Sequence, residues 1–434
     1  MNVVDIAAPA APASAPPVAA RDPSPAVVGR FLGSEGAFFG LLIRGSILLL
    51  FTLGIYRFWL ATDVRRFLWG NTEIVGDGLE YTGTARELLL GFLMALALLL
   101  PINGLIFLAT FAPGLFKFSG VLGFMLLAVL GQFAIYRARR YRLSRTVYRG
   151  VRLYQTGSAW RYAIMSLLWW VVIALTAGLA YPWAQASLER YKLRHTHYGN
   201  LTGRFAGSGT RLFFRGLLLW LLVVGPFLGG VMIAIVTIDW LALVAALGDG
   251  GDSTVWSRVE ASNPQFAVAV VLALVGVGWA MFAAALLYPA FRAMMQRWWL
   301  SGLRLGEVTA VSHLRTAQIY RAYLRFLGFA LLFGIAAGTF AAIMAGLFGE
   351  LAKLFTRSAA FEIGTVVAGL VAYVIVMLGY SALYQATVMI RLWRLSFETT
   401  ELVGFAALDR VEAAGAAGSP FGEGLADALD VGGL

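Results

Sequence analysis

The sequence predicts an all-α polytopic membrane protein with six to eight transmembrane or re-entrant helices. Its composition excludes an ordinary soluble protein, because 60% of the 434 residues are hydrophobic and only 13% are charged. The mean hydropathy is +0.77. Apolar segments recur along the chain, each near the length of about 20 residues with which an α-helix crosses a bilayer. These segments are 37–60, 88–111, 118–136, 162–184, 212–238, 264–290, 324–349 and 361–390.

The connections between the segments fall into two classes by charge. The Arg-rich connections are 61–87, 137–161, 185–211 and 291–323, whereas 112–117, 239–263 and 350–360 contain few basic residues. Because basic loops stay on the cytoplasmic side of a membrane, we expect the Arg-rich connections and the C-terminal segment from Arg391 onward to be cytoplasmic.

The segment 162–184 connects two Arg-rich regions, so a single crossing would place one of them outside the cytoplasm. Gly54 in 37–60 and Gly178 in 162–184 weaken helix continuity, and Pro182 adds to the second break. We therefore favour six full crossings, with 37–60 and 162–184 as shallow or re-entrant elements. The alternative is eight crossings with one basic loop on the outer face.

Internal repeats are visible when the chain is shifted against itself. A shift of 124 residues places Gly54 on Gly178 and Thr72 on Thr196, and a shift of 74 places Thr72 on Thr146. Such duplication underlies many membrane transport folds. Alternating aromatic and small residues in 78–85 and 203–210 predict short cytoplasmic strand or turn segments after the helices.

The repeats and the composition together predict the domain organisation. We expect a disordered Pro/Ala-rich tail at 1–28. A multi-pass membrane domain follows at 29–405, with repeats at about 31–150, 155–290 and 291–405. The last segment, 406–434, is expected to be a flexible C-terminal tail.

Several stretches of the sequence point to one family. They are RFLGSEGAFFG (30–40), TLGIYRFW (52–59), RRFLWGNT (65–72), LEYTG (79–83), GSAWRYA (157–163), YPWAQASLERYKLRHTHYGN (181–200) and RFAGSG (204–209). In this combination the sequence resembles the YjgN family, bacterial inner-membrane proteins of unknown function defined by the DUF898 domain. The resemblance covers roughly residues 28–405. It implies a multi-pass inner-membrane protein and no particular activity.

Arginines near helix ends are the candidate contacts with lipid or with a transport pathway. Clustered cytoplasmic arginines gain about 1 kcal/mol per charge at an anionic lipid surface, although they also fix topology without a specific contact. Arg44 differs because it lies inside an apolar segment, where a charge marks a functional site or a side chain that reaches the headgroups. The candidates are Arg44, Arg65, Arg66, Arg139, Arg140 and Arg190.

His195 and His197 lie in the densest polar stretch of the chain. Two histidines two residues apart do not share a helical face, so they make a poor metal pair on a helix. An interfacial segment is therefore the simpler interpretation. A proton-responsive or metal site is the alternative.

The sequence excludes or disfavours several classes of function. With 0 cysteines the chain has no disulfides or thiolate sites, and it shows no catalytic or nucleotide-binding motif in a supporting context. We expect no enzyme activity, no cofactor, no metal and no nucleic-acid partner. The expected partners are the lipid bilayer and its anionic headgroups, and a homo-oligomer stays open.

Two function hypotheses remain. In the first, the protein moves or gates a small solute or lipid through a bundle of repeated units. In the second, it is a membrane scaffold or lipid-organising protein whose Arg-rich segments bind anionic lipid or partner proteins. A transporter needs a polar cavity at mid-membrane depth, whereas a scaffold can be packed solid.

Overall fold

The computed structural model describes residues 26–110, 119–237, 264–354, 359–415 and 419–429, together with Asp239, Leu241 and Val244. In these ranges pairs of helices alternate with pairs of short strands. The helix pairs are α1 Glu35–Phe51 with α2 Arg57–Gly70, α3 Ala85–Thr110 with α4 Ser119–Ser144, α5 Ala159–Leu175 with α6 Tyr181–Arg194, and α7 Gly209–Thr237 with α8 Pro264–Gly302. In the last pair, α9 Thr316–Leu354 is followed by α10 Ala359–Tyr384, the π-helical turn Gln385–Met389 and α11 Ile390–Glu398.

The strands are short and lie between the helix pairs. They are β1 Val27–Val28, β2 Arg30–Phe31, β3 Thr72–Ile74, β4 Asp77–Tyr81, β5 Thr146–Tyr148, β6 Val151–Gln155, β7 Thr196–Tyr198, β8 Leu201–Phe205, β9 Leu303–Leu305, β10 Val308–Ser312 and β11 Thr400–Val403. The sequence predicted short strand or turn segments, and the structure joins such segments into one continuous sheet, which the predicted all-α fold did not include.

Six of the described helices are long and apolar enough to cross a membrane, which agrees with the predicted polytopic architecture. They are Ala85–Leu108, Gly120–Ser144, Gly209–Thr237, Ala267–Gly302, Thr316–Glu350 and Phe361–Glu398. Large apolar side chains along them, such as Leu218, Leu274 and Leu332, are mostly exposed. Apolar exposure on this scale suits contact with lipid acyl chains rather than with water.

The chain reverses direction after α1 and after α5 through the same backbone conformation. Leu53 and Gly54 have φ angles of 50° and 91°, and Ala177 and Gly178 have 47° and 91°. A left-handed conformation ends a helix, and glycine adopts it without strain. In both reversals the preceding threonine hydroxyl donates to a carbonyl four residues earlier at 2.8 Å. The two glycines therefore mark the bends that the sequence predicted.

The two short helix pairs return to the sheet from which they start. The strands that flank α1 and α2 pair with each other, as do those that flank α5 and α6. Since α1 and α5 each have 17 residues, each reaches about 26 Å, less than the hydrocarbon core of about 30 Å. Their length is thus short for a full crossing, and whether they are re-entrant stays a prediction. Pro182 lies in the first turn of α6 rather than at the break, where its missing N–H costs no hydrogen bond.

The strands form one antiparallel sheet in the order β1-β11-β10-β9-β8-β7-β6-β5-β4-β3-β2. Only Gly29 separates β1 from β2 along the chain, so the two ends of this order are joined. The sheet therefore closes into a ring, which removes the unpaired edges that invite aggregation. Every helix pair projects from this ring.

One backbone hydrogen bond closes the base of each helix pair in the same way. The donor is the N–H of the first residue after the strand that precedes the helix pair. The acceptor is the carbonyl of the last residue before the strand that follows it, at 2.8 to 2.9 Å. The bonds join Leu32 to Asn71, Thr82 to Arg145, Thr156 to His195, Ala206 to Gly302, and His313 to Thr399. The structural period is therefore one helix pair with one strand pair, and the predicted repeat 31–150 contains two such periods.

Part of the C-terminal segment is packed, which differs from the flexible tail predicted at 406–434. Phe405–Arg410 form a 3₁₀ turn, and Phe405 joins Tyr148 and Tyr198 in an apolar cluster. Helix α12, Phe421–Ala428, is buried over most of its length. Residues 1–25 of the predicted disordered tail lie outside the described residues, as do 112–117 and most of 239–263.

Cysteine labelling is expected to show that α5 and α6 are re-entrant. Because the chain has 0 cysteines, single Arg149→Cys and Asn200→Cys variants each report one position, and both should react with a membrane-impermeant maleimide from the same side. Asp239→Cys, beyond the full crossing of α7, should react from the opposite side. Ala177→Cys, at the exposed reversal between α5 and α6, should not react from the side that labels Asp239→Cys. Its reaction from that side would show that α5 and α6 cross the membrane.

Candidate functional site

Charged side chains gather where α2, α4 and α6 approach the ring, and we call this group the inner charged cluster. It consists of Arg65 from α2, Arg139 and Arg142 from α4, Glu189 and Lys192 from α6, and Glu423 from α12. Residues three apart share a helix face, which brings the members from α4 and from α6 to the same place. The cluster contains four cations and two carboxylates, so each carboxylate is critical to its stability.

Glu423 lies between two arginines. One carboxylate oxygen pairs with Nη2 of Arg65, and the other lies 3.8 Å from Nε of Arg142. Arg65 and Glu423 are only 5% and 6% exposed, and Arg65 also donates to the hydroxyl of Tyr81 at 3.1 Å. Burial alone would lower the pKa of Arg65, but Glu423 and Tyr81 outweigh burial and raise it. Arg65 therefore stays charged inside the protein.

Glu189 holds the other half of the cluster. Its Oε1 pairs with Nζ of Lys192, and its Oε2 accepts a hydrogen bond from Nε1 of Trp299 at 3.0 Å. Arg139 donates to the hydroxyl of Thr196 at 3.0 Å and to the Lys192 carbonyl at 3.4 Å. Burial lowers the pKa of Lys192 although Glu189 opposes this. The charge on Lys192 thus depends on the carboxylate beside it.

The predicted arginine pairs divide between two environments. Whereas Arg65 and Arg139 enter the inner charged cluster, Arg66 and Arg190 donate to the carbonyl of a glycine just beyond the next strand pair, at 3.1 and 3.2 Å. Arg394 makes the same contact at 2.7 Å. These outer arginines tie the helices to the ring.

Arg140 is half-buried, and Arg44 is exposed on α1. The structure therefore places Arg65 and Arg139 in the inner charged cluster, beside different carboxylates. Arg44, Arg66 and Arg190 are exposed. Lipid or pathway contact by the candidates stays a prediction.

The two histidines occupy separate polar contacts. The Nδ1 atom of His195 lies 2.8 Å from the Tyr191 carbonyl, and the His197 ring nitrogens lie 3.1 and 3.2 Å from the hydroxyls of Thr156 and Thr202. Burial and the neighbouring His195 lower the pKa of His197. In the part of the chain that the structure describes, no group of three or more His, Cys, Asp or Glu side chains is placed to hold a metal ion.

A second charged site lies where α7 and α8 meet the ring, and we call it the basic pocket. It has a volume of about 510 Å³, and its lining includes Arg211 and Arg215 from α7, Arg297 from α8 and Arg304 from β9. Arg304 donates to backbone carbonyls, and Arg297 donates to the hydroxyl of Thr316 at 3.4 Å. The lining residues include serines but no acidic side chain. The pocket thus has the chemistry of an anion site.

A family model described as a bacterial protein of unknown function, DUF898, matches residues 27–428. The chain belongs to the DUF898 family. This confirms the family that the sequence resemblance indicated and extends it to include α12. Neither the curated proteins nor the solved structures contain a match to this DUF898 protein.

The DUF898 protein also has an apolar cavity between α6, α7 and α8, beside the reversal at Gly178. Its volume is about 260 Å³, and side chains such as Leu212, Val223 and Leu287 line it together with Trp220. Its chemistry suits a hydrocarbon chain rather than a polar solute.

Sequence reasoning missed two features of this DUF898 protein. The four-residue spacing of Arg211 and Arg215 after Ser208 was a local signal for a basic helix face, but Arg297 and Arg304 join them only through the fold. Glu423 carried no local signal, because its partners lie far away in the chain.

Proposed function

We propose that this DUF898 protein is a non-enzymatic lipid-organising protein of the bacterial inner membrane that binds anionic lipid headgroups on its cytoplasmic face. The basic pocket carries the proposal, since four arginines from three elements converge there without an acidic side chain. Guanidinium groups bind phosphate oxygens through paired, charge-assisted hydrogen bonds. A lipid phosphate fits this chemistry.

The position of the basic pocket supports a lipid ligand. Arg211 and Arg215 are exposed near the start of α7, and Phe214 and Leu218 on the same helix are 70% and 66% exposed. Apolar side chains exposed beside the arginines face the acyl chains, so the arginines lie at headgroup level. The positive-inside rule favours the cytoplasmic leaflet for this Arg-rich side.

The ring repeats a basic position at the same level. Each of the five described helix pairs is followed by a strand, and an arginine lies six residues before that strand begins. These arginines are Arg66, Arg140, Arg190, Arg297 and Arg394. Together with the equivalent hydrogen bonds at the base of each helix pair, this supports an origin by duplication of one unit. A circle of arginines suits a protein that gathers anionic lipid around itself.

Lipid binding is favoured over passage of a solute. Solute transporters place a polar site near the middle of the membrane, but the cavity between α6, α7 and α8 is lined mainly by apolar side chains. Within the described residues, the inner charged cluster lies at the ring end of the helices and both of its carboxylates have cationic partners. The apolar cavity is suited to an acyl chain of a bound lipid.

Loss of Arg211 and Arg215 is expected to weaken binding of phosphatidylglycerol. Removing two charges at about 1 kcal/mol each should lower the affinity roughly thirty-fold. The measurement uses the full chain with both residues changed to Gln, in phosphatidylcholine nanodiscs titrated with phosphatidylglycerol, and counts the lipids retained by native mass spectrometry.

The matched control changes Arg194 and Arg315 to Gln, because both are exposed arginines outside the basic pocket. This variant has the same net charge as the test variant and should retain phosphatidylglycerol nearly as the wild type does. An equal loss in both variants would reduce the effect to general surface charge and contradict a pocket for lipid.

A further inference from the structure

Helix α12 is inserted between α3 and α4. Leu425 and Ala426 pack against Ala95 and Leu130 in one apolar cluster. The backbones touch where Gly91 faces the start of α12, since a Cβ on Gly91 would lie 2.4 Å from the Pro420 carbonyl oxygen. The tail therefore occupies a cleft that α3 and α4 leave open, and it fits only because small residues meet there.

The charged end of this contact is incompletely satisfied. Glu423 supplies one carboxylate to the buried Arg65 and to Arg142, yet its Oε2 and the Nε of Arg65 are buried without a hydrogen-bond partner. Buried polar atoms without partners are rare in folded proteins and call for a physical explanation. A phosphate group offers more acceptor oxygens to two guanidinium groups than one carboxylate does.

The layout of α12 resembles that of a lipid. The Glu423 carboxylate lies between Arg65 and Arg142. The apolar residues Leu425 and Leu429 continue along α3 and α4 toward Leu99. Leu98 of α3 and Leu126 of α4 are 43% and 41% exposed, so these helices are open to the bilayer on their outer faces. A headgroup at the arginines with acyl chains along the apolar wall would use the same surface.

We infer that the cleft between α3 and α4 is a second anionic-lipid site, that Arg65 and Arg142 bind the lipid phosphate there, and that α12 is a built-in competitor which occludes the site. This inference concerns a different site from the basic pocket and does not rest on it. Arg57 adds a second hold on the tail through its ion pair with Asp427. The side chains of Arg57 and Asp427 are 40% exposed whereas those of Arg65 and Glu423 are 6% and 7% exposed, so Glu423 is the stronger of the two anchors.

Gly424→Leu separates the tail from the arginines without changing a charge. A Cβ on Gly424 would lie 1.8 Å from the Gly91 backbone, so the leucine cannot be accommodated while α12 stays in the cleft. In the full chain in nanodiscs, amide hydrogen exchange over 421–428 should rise at least about tenfold. Native mass spectrometry should then count one more phosphatidylglycerol per chain than in the wild type.

The controls identify the arginines and the source of the phosphate. Ala414→Leu changes an exposed tail residue and should alter neither exchange nor lipid count. Adding Arg142→Gln to Gly424→Leu should abolish the extra lipid, and Glu423→Gln should give a weaker version of the Gly424→Leu result. The extra lipid should persist when Arg211 and Arg215 are both changed to Gln, which separates this inference from the proposed function.

Three outcomes would overturn the inference. Faster exchange of the tail without an extra phosphatidylglycerol would show that the cleft is not a lipid site. Loss of the extra phosphatidylglycerol when inorganic phosphate is added would assign the arginines to a free anion. Unchanged exchange in Gly424→Leu would show that α12 does not occupy the cleft.

Discussion

Glu189→Ala is expected to lower the free energy of unfolding by about 3–5 kcal/mol, the usual cost of leaving a buried charge without its partner. Glu189 is 7% exposed and binds both Lys192 and the indole N–H of Trp299. Its removal leaves Lys192 beside Arg139, with no carboxylate between them. Denaturant unfolding in detergent, followed by tryptophan fluorescence, measures the loss.

The loss in Glu189→Ala should be smaller at about pH 9 than at about pH 7. Burial holds the pKa of Lys192 below its ordinary value of 10.5 in the folded protein, so the unfolded chain binds more protons below that value and stability rises with pH. Without Glu189 the folded-state pKa falls further. The pH range in which the free energy of unfolding rises with pH therefore extends to lower pH. Deprotonation of Lys192 in this range removes the unpaired buried charge and so reduces the loss of stability.

Two variants separate the charge effect from a loss of packing. Glu189→Gln keeps the shape and an acceptor for Trp299 but removes the charge, so it should lose nearly as much stability near pH 7 and show the same pH trend. Glu80→Ala removes an exposed carboxylate of β4 and should change stability by less than about 0.5 kcal/mol. A Glu189→Ala protein as stable as Glu80→Ala would contradict the role of the inner charged cluster.

The membrane helices and the bends at Gly54 and Gly178 were predictable because their signals are local. Length and apolar composition identify a spanning helix in any context, and two successive residues with positive φ end a helix whatever packs around it. Gly54 and Gly178 therefore gave the correct positions. The charges gave a further signal, because 162–184 connects two Arg-rich regions and a single crossing would place one of them outside the cytoplasm.

The ring and the inner charged cluster could not be predicted from local signals. β1 and β2 have 2 residues each, too short for a strand pattern, and Val27 pairs with Leu402 from the other end of the chain. The first arginine of each predicted pair, such as Arg65, looked like the second, Arg66. Arg65 is buried and Arg66 is exposed because they lie on different faces of α2, and only the fold determines which face points into the protein.

A chain that begins at Leu32 is expected to lose the folded monomer. Without β1 and β2, both β3 and β11 become open edges that pair with other chains. Phe31, which is 5% exposed and packs with Phe38 and Leu42, is also lost. Loss of a buried phenylalanine costs about 3–5 kcal/mol, close to the lower end of the roughly 5–15 kcal/mol that stabilise a folded protein. Size-exclusion chromatography in detergent should show aggregates.

A peptide of residues 26–31 should restore the monomer if ring closure is the cause, because an added strand can pair with an exposed sheet edge. This peptide carries Phe31, which refills its buried place beside Phe38 and Leu42, so it supplies a specific anchor as well as the strands. The same peptide with Phe31→Asp should fail, and a chain that begins at Ala26 should need no peptide. If the chain that begins at Leu32 eluted and unfolded like the full chain, closure of the sheet would contribute nothing to stability.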